Sequence, residues 1–243
     1  MKERLDKILV DRGLVKSRER AKALIMEGNV LVDGTVVTKA GAMINSASIV
    51  SLREEDMPYV SRGGLKLKAA IDFFNIDLKD KTVMDVGSST GGFTDCMLQM
   101  GARKVYCIDV GYGQIAWSLR NDPRIILFER TNIRYLERER IPEMIDIATA
   151  DVSFISLTKV IPKVVEFLKS DGEILALVKP QFEAGKGEVG RGGIVREEEK
   201  RLTVVESVRT ALEDLGLHTI GMFRSPIPGQ KGNIEYFLYM KKE

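Results

Sequence analysis

A carboxylate, a glycine-rich turn and a second carboxylate follow one another at the spacing of a nucleoside-binding βαβ unit. Asp85-Val-Gly-Ser-Ser-Thr-Gly-Gly-Phe93 joins the apolar run Lys81-Thr-Val-Met-Asp85 to a segment of helical character from Gly92 to Met100. Glycines between a strand and a helix let backbone N–H groups approach a ligand closely. Asp109 closes the next apolar run, Lys104-Val-Tyr-Cys-Ile108, where an acid can hold ribose hydroxyls. A dinucleotide fingerprint has glycine where Ser89 stands, which makes room for pyrophosphate. Ser89 would crowd a diphosphate and Asp85, expected to face the ligand, would repel it. S-adenosylmethionine has no phosphate, and its amino and sulfonium groups are cationic. The pattern therefore points to S-adenosylmethionine and away from NAD.

Ligands of an open α/β sheet bind beyond the carboxyl ends of its strands. Besides Asp85 and Asp109, the residues expected there are Asp151 in Ala150-Asp-Val-Ser-Phe154 and Lys179 in Val178-Lys-Pro-Gln-Phe182. Methyl transfer from a sulfonium is an in-line displacement, so the acceptor must be held in line and helped to lose its proton. A lysine takes up a proton only in its neutral form. Its reference value of ~10.4 falls with desolvation or a second nearby cation and rises beside carboxylates. Lys66 in Ser61-Arg-Gly-Gly-Leu-Lys66 is the candidate second lysine, and Glu235 in Gly232-Asn-Ile-Glu-Tyr236 the candidate glutamate. Taken singly, a charge beside a strand end is ordinarily solvated. Glu235 is the exception, because it lies in an apolar run expected to be a strand, where a buried carboxylate needs a partner.

The elements that must position these residues form two parts. Residues 1–56 read as a miniature α+β domain, 57–61 as a linker and 62–243 as the larger domain. In the first part, Leu5, Ile8 and Leu9 lie on one face of a helix closed by Gly13, and Ser17 caps a second helix holding Ala21, Leu24 and Ile25 up to Gly28. Val30 to Val37 reads as a hairpin turning at Asp33-Gly34, with Ile49–Leu52 a further strand. Up to Arg53 there are ten basic and six acidic residues, with Lys16, Arg18, Arg20 and Lys22 on or beside the second helix. In the larger part, a helix from Arg62 to Phe74 should bury Leu65, Leu67, Ala69, Ala70 and Phe73. Apolar runs at 125–128, 145–149 and 173–178 alternate with helical segments, as in a doubly wound, mainly parallel sheet. A helix at 203–215 precedes strands at 219–223 and 234–240, the last expected to be antiparallel.

The formal net charge of +2 is too small to identify a nucleic-acid partner by itself. Cys96 and Cys107 lack metal-ligand spacing and fit buried reduced thiols, so no metal is expected. There is no apolar signal region and no run near the roughly 18 apolar residues of a membrane span, which suits a cytoplasmic protein. The only histidine, His218, is expected at a helix end and leaves no partner for Ser-His-Asp or Cys-His chemistry. The loop Gly185-Lys-Gly-Glu-Val-Gly-Arg-Gly-Gly193 lacks the Ser or Thr of a phosphate loop; it suits a substrate-side flap carrying Lys186 and Arg191 and an ordinary surface loop equally. Arg134, Arg138 and Arg140, interleaved with glutamates, read as a solvated helix face.

The first segment resembles the S-four-type RNA-binding module in Arg4-Leu-Asp-Lys-Ile-Leu9, Ser17-Arg-Glu-Arg-Ala21 and Gly28-Asn-Val-Leu-Val-Asp-Gly34. The whole chain from Leu5 to Tyr239 resembles the TlyA (hemolysin A) family of ribosomal RNA 2′-O-methyltransferases, whose catalytic domain is of the FtsJ type. The motifs that carry this are Ser61-Arg-Gly-Gly-Leu-Lys-Leu67, Asp85 to Phe93, Asp151-Val-Ser-Phe-Ile-Ser156, Lys179-Pro-Gln-Phe-Glu183 and Gly232-Asn-Ile-Glu-Tyr236. The resemblance implies a Rossmann-like methyltransferase sheet and a catalytic tetrad of Lys66, Asp151, Lys179 and Glu235. It also implies a cytidine ribose in ribosomal RNA or ribosomal subunits as acceptor. The expected cofactor contacts are Asp85, Gly87, Ser88, Ser89, Gly91, Gly92, Phe93, Asp109, Val110, Asn132 and Asp151. The expected RNA contacts are Arg4, Lys16, Arg18, Arg20, Lys22 and Arg62. One departure is the linker, where Tyr59 stands in place of the tryptophan frequent in the family.

Two rivals are weaker. A base-amino methyltransferase commonly carries an acid, two prolines and an aromatic, and Asp151-Val-Ser-Phe154 lacks the prolines. A membrane-active hemolysin would need a span or a strongly amphipathic membrane helix, and the sequence offers neither.

Overall fold

The computed structural model describes residues 2–15, 17–53, 57–185, 189–190 and 192–243. The chain divides into two compact units, Met1–Pro58 and Tyr59–Glu243.

The first unit contains β1 (Lys2–Arg4), α1 (Leu5–Asp11), α2 (Arg18–Met26), β2 (Val30–Val32), β3 (Thr35–Val36), β4 (Met43–Asn45) and β5 (Val50–Leu52). Ser17 caps α2 by accepting the Arg20 N–H through its hydroxyl. Asp33 and Gly34 both have positive φ, as a type I′ hairpin turn requires. Strands β3, β2 and β5 form one antiparallel sheet, and β1 pairs with β4 in another. Leu5, Leu9, Leu24, Ile25 and Val30 are fully buried and form the small core. The β1–β4 pair was not legible in the sequence: each strand has three residues and an exposed–intermediate–exposed pattern.

The second unit contains α3 (Arg62–Phe74), β6 (Thr82–Val86), α4 (Gly92–Gln99), β7 (Lys104–Ile108), α5 (Trp117–Arg120), β8 (Ile125–Phe128), β9 (Ile145–Ala150), α6 (Ile161–Val165), β10 (Leu168–Val178), α7 (Pro180–Glu183), α8 (Glu198–Glu213), β11 (Leu217–Arg224) and β12 (Tyr236–Lys242). Seven strands form one sheet in the order β11-β12-β10-β9-β6-β7-β8. Only β12 runs antiparallel, to both of its neighbours. This is the expected Rossmann-like sheet. Each face is covered by its own apolar core, so β6 is buried along its whole length. Among the described residues no helix is long and apolar enough to cross a membrane.

Several local expectations are corrected. Phe73 is 59% exposed and stacks on Phe223 with ring centroids 4.5 Å apart, while Ile71 takes the buried place on α3. Helix α8 begins at Glu198, five residues earlier than the apolar period suggested. Its first turn holds Glu198 and Glu199, which suit the positive end of a helix but carry no apolar signal. His218 lies in β11 instead of at a helix end. Ile133–Tyr135 and Arg138–Arg140 are separate 3-10 turns, not one helix.

Candidate active site

The loop after β6 needs left-handed residues at three alternate positions. Gly87, Ser89 and Gly91 have φ of +84°, +47° and +94°. A Cβ on Gly87 would lie 2.5 Å from the carbonyl oxygen of Asp151, so only glycine lets the loop run against the end of β9. Ser89 is held by Asp109, whose carboxylate accepts the Ser89 N–H and the Gly111 N–H, both at 2.7 Å. Asp109 thus ties the loops after β6 and β7 together, and each oxygen keeps a further lone pair for a ligand hydroxyl.

Two cavities open along this line of strand ends. One, of about 420 Å³, is lined by Ser89, Asp109, Val110, Asn132, Asp151 and Phe154, among others. The other, of about 230 Å³, is lined by Ser61, Arg62, Gly63, Lys66, Gly87 to Thr90, Gly92, Phe93, Asp151, Gly229 and Gln230. Gly87, Ser89 and Asp151 belong to both. Asp151 therefore stands where the two cavities meet.

Two largely buried ion pairs reach the smaller cavity, one through Asp151 and one through Lys66. Lys179 Nζ lies 2.6 Å from Asp151 Oδ1, an ion pair without hydrogen-bond angles at that oxygen, and donates to Ser153 Oγ at 3.0 Å. Lys66 Nζ donates to Glu235 Oε2 at 2.7 Å, with side chains 13% and 2% exposed. Lys66 reaches in from the second turn of α3, while Lys179 follows the end of β10. Glu235 sits one residue before β12, not inside the strand as its apolar neighbours suggested. Its burial and its need for a cationic partner are as expected. Lys66 and Asp151 both line the smaller cavity, each paired with one further member of the expected tetrad, Glu235 or Lys179.

Other expected contacts divide. Gly87, Ser88, Ser89, Gly92 and Phe93 line the smaller cavity, and Val110, Asn132 and Asp109 line the larger one. Asp85 does not face either. It is fully buried, accepting from the hydroxyls of Thr94 at 2.6 Å and Thr149 at 3.1 Å. Burial pushes its carboxyl up to about 6, partly opposed by those two hydroxyls. Of the two carboxylates it is Asp151 that lines the cavities, and Asp85 instead braces β6 against α4 and β9. Gly91 is also not a lining residue; its missing Cβ leaves space for Leu119 and Ile115.

Of the expected RNA contacts, Arg62 is exposed at the start of α3 and lines the smaller cavity. Arg4 and Arg18 are half-exposed and share one fully buried carboxylate, Asp6: Arg4 donates to both its oxygens at 2.9 Å, and Arg18 to Oδ2 at 3.1 Å. The Arg4 hydrogen bonds, with Arg18 adding to them, hold the Asp6 carboxyl down to about 2. Arg20 and Lys22 are partly exposed on α2. Lys16 lies outside the described residues, as do Lys186 and Arg191 of the glycine-rich loop.

Sequence reasoning missed Gly229, Gln230 and Phe154. Phe154 is 86% exposed at φ +62° and packs 4.8 Å from Phe182, an aromatic in a left-handed turn beside the larger cavity. Tyr59, read as linker, is buried against Gly64, and Val60 donates its N–H to Asp95 of α4 at 2.8 Å. Burial pushes the Tyr59 hydroxyl up to about 12.

The FtsJ-like methyltransferase family matches residues 59–242, and the S4 domain matches residues 3–49. The chain belongs to the FtsJ-like methyltransferases. The 16S/23S rRNA (cytidine-2'-O)-methyltransferase TlyA of Mycobacterium tuberculosis is 45% identical over 241 residues, 99% of this chain and 90% of that protein. Hemolysin A of Brachyspira hyodysenteriae is 38% identical over 237 residues, 97% of this chain and 98% of that one. A solved structure from Streptococcus thermophilus, described as a hemolysin, is 43% identical with a TM-score of 0.77, covering 99% of this chain and 88% of that one. As an FtsJ-like methyltransferase, the chain takes S-adenosylmethionine as its methyl donor. The site fits that donor: a glycine loop too close to Asp151 for any Cβ, an acid with lone pairs for ribose, and an anionic Asp151 where the cavities meet.

Proposed function

We propose that this chain methylates the 2′ hydroxyl of a cytidine ribose in ribosomal RNA, with Lys66, Asp151, Lys179 and Glu235 as its catalytic group. The observation that carries this reading is the pair of lysine–carboxylate contacts, one through Lys66 and one through Asp151, that reach the smaller cavity. The 45% identity to an rRNA cytidine-2'-O-methyltransferase supports the choice of acceptor.

Bound S-adenosylmethionine supplies an electrophilic methyl on a sulfonium. Lys179 Nζ, neutral once its resting proton has passed to solvent, would take up the 2′ proton as the ribose oxygen accepts that methyl. Asp151 orients the lysine, and Ser153 fixes it from a second direction. Glu235 balances the charge of Lys66, since two unpaired buried cations would be costly. Lys66 is then free to hold the acceptor in line. In this reading residues 1–56 capture RNA, and residues 62–243 perform transfer with 59–61 packed against them. The setting is the cytoplasm, where ribosomal subunits are assembled.

The test is to incubate purified ribosomal subunits with the protein and labelled S-adenosylmethionine, then map 2′-O-methyl sites by mass spectrometry. A cytidine ribose that gains a methyl is the expected result. Label found on a base, or no label on RNA, would reject the reading.

A further inference from the structure

The Gly232-Asn-Ile-Glu235 motif contains a second buried polar residue that the chemistry above does not use. Asn233 is 4% exposed. Its Nδ2 donates to Gly193 O at 2.9 Å and Gln230 O at 3.2 Å, and its Oδ1 accepts the Val195 N–H at 3.4 Å. Its backbone N–H donates to Gln230 O at 3.2 Å, and its carbonyl accepts the Gly229 N–H at 2.8 Å. One side chain therefore holds the turn 229–233 and ties it to the segment 193–195. That segment is held again from the other side, where the buried Arg201 donates to Val195 O at 3.2 Å and Arg196 O at 2.6 Å.

What the turn presents to the cavity is Gly229 and Gln230. Gly229 has φ −73° and ψ −165°, a conformation open to any residue, so glycine is not there for the bend. It is there for space: a Cβ at this position would collide with Oε1 of Glu235. Glu235 has little freedom to retreat, being buried with its other oxygen committed to Lys66. The turn thus forms the wall against which the Lys66–Glu235 pair is set.

We propose that Asn233 is a positioning residue that acts through Gly229 on Glu235, fixing the carboxylate that balances Lys66. This rests on the ribose methylation proposed above. Gly229→Ala should push Glu235 out of place with the turn's hydrogen bonds intact. Asn233→Asp keeps the side-chain shape but sets a carboxylate oxygen against the carbonyls of Gly193 and Gln230. Both variants, as full chains with ribosomal subunits, should lose roughly 10²-fold in kcat, the scale of an ångström-level misplacement. S-adenosylmethionine affinity by calorimetry should stay at the wild-type value. Because the two changes act along one path, the double variant should be no slower than the worse single one. A Gly229→Ala enzyme with wild-type kcat, losses that multiply, or losses that track melting temperature alone would overturn the proposal. A wild-type protein that fails to methylate ribose would instead reject the activity on which it rests.

Discussion

Each unit buries a carboxylate completely, and the two carboxylates behave in opposite ways. Asp6 in the first unit is surrounded by two arginines and is held down to about 2. Asp85 in the second is met by the hydroxyls of Thr94 and Thr149 and the Thr94 backbone, and its burial pushes it up to about 6. The difference lies in where the partner charges go. Asp6 anchors two guanidinium groups that remain half in solvent, so its burial presents positive charge outward. In the second unit the cations are drawn inward: Lys66 and Lys179 are nearly buried, and they pair with Glu235 and Asp151 and leave Asp85 uncompensated. One unit displays charge toward solvent, where the proposed function has RNA phosphates meet it, and the other confines it, where the same proposal has a proton move.

The largest expected effect comes from breaking the confinement at a single atom. Lys179→Arg keeps a cation beside Asp151, but a guanidinium stays protonated and accepts nothing. Methyl transfer to ribosomal RNA should fall by roughly 10²–10⁴-fold, the usual contribution of a positioned base. Binding of S-adenosylmethionine should be unaffected. Single-turnover rates near wild type would show that Lys179 serves as structure only.

The same contrast marks what could be read from the sequence. Short motifs with fixed spacing were legible because backbone geometry demands them. The glycine turn, Asp109, the I′ hairpin and the antiparallel last strand belong to this class. Asp151, Lys179, Lys66 and Glu235 are named as a set by the family resemblance; the structure pairs them two by two and sets Glu235 one residue before its strand instead of inside it. Side-chain direction was not legible. Asp85 follows a run of apolar residues in a strand buried on both faces, and the sequence carries no sign of whether it turns toward the ligand or toward Thr94. Asp6 was invisible as an organiser for a similar reason, since a lone aspartate on a helix usually reads as solvated. Phe73 failed because a helix end at a sheet edge can stack on an aromatic without being covered.

Removing the charge of Asp6 is expected to have the next largest effect. Asp6→Asn loses charge-assisted hydrogen bonds to Arg4 and Arg18, which should cost the first unit about 2 kcal/mol, since both guanidinium groups stay half in solvent. Its pH signature follows from the lowered carboxyl: stability contributed by Asp6 is present above its unfolded value near 4 and is lost as pH falls toward 2. The variant should lack that loss. Asp85→Asn tests the opposite sign. Because its folded value is raised, the native state binds the extra proton, and stability falls as pH climbs from about 4 to about 6. The asparagine variant should be flat in that window. At pH 8 it should recover on the order of 2 kcal/mol, less whatever its weaker hydrogen bonds to Thr94 and Thr149 cost. Chemical denaturation across pH 3–8 measures both slopes, and an unchanged profile in either variant would refute the corresponding half of the comparison.

The smallest effect concerns whether the displayed charge of the first unit touches phosphate at all. Arg18 shares Asp6 with Arg4, so the three groups together carry one net positive charge, and the Arg18 guanidinium is half-exposed with donors to spare. Arg18→Gln removes one candidate phosphate contact and leaves the Arg4–Asp6 pair in place. If it meets a phosphate of single-stranded RNA, the slope of log affinity against log salt should shrink by about 0.7. Affinity at low salt should fall modestly, and kcat at saturating RNA should not change, because the confined lysines of the second unit are untouched. If Arg18 is an ordinary solvated charge, slope and affinity will match wild type. The comparison would then lose its claim that Asp6 arranges charge for RNA, while keeping its account of stability.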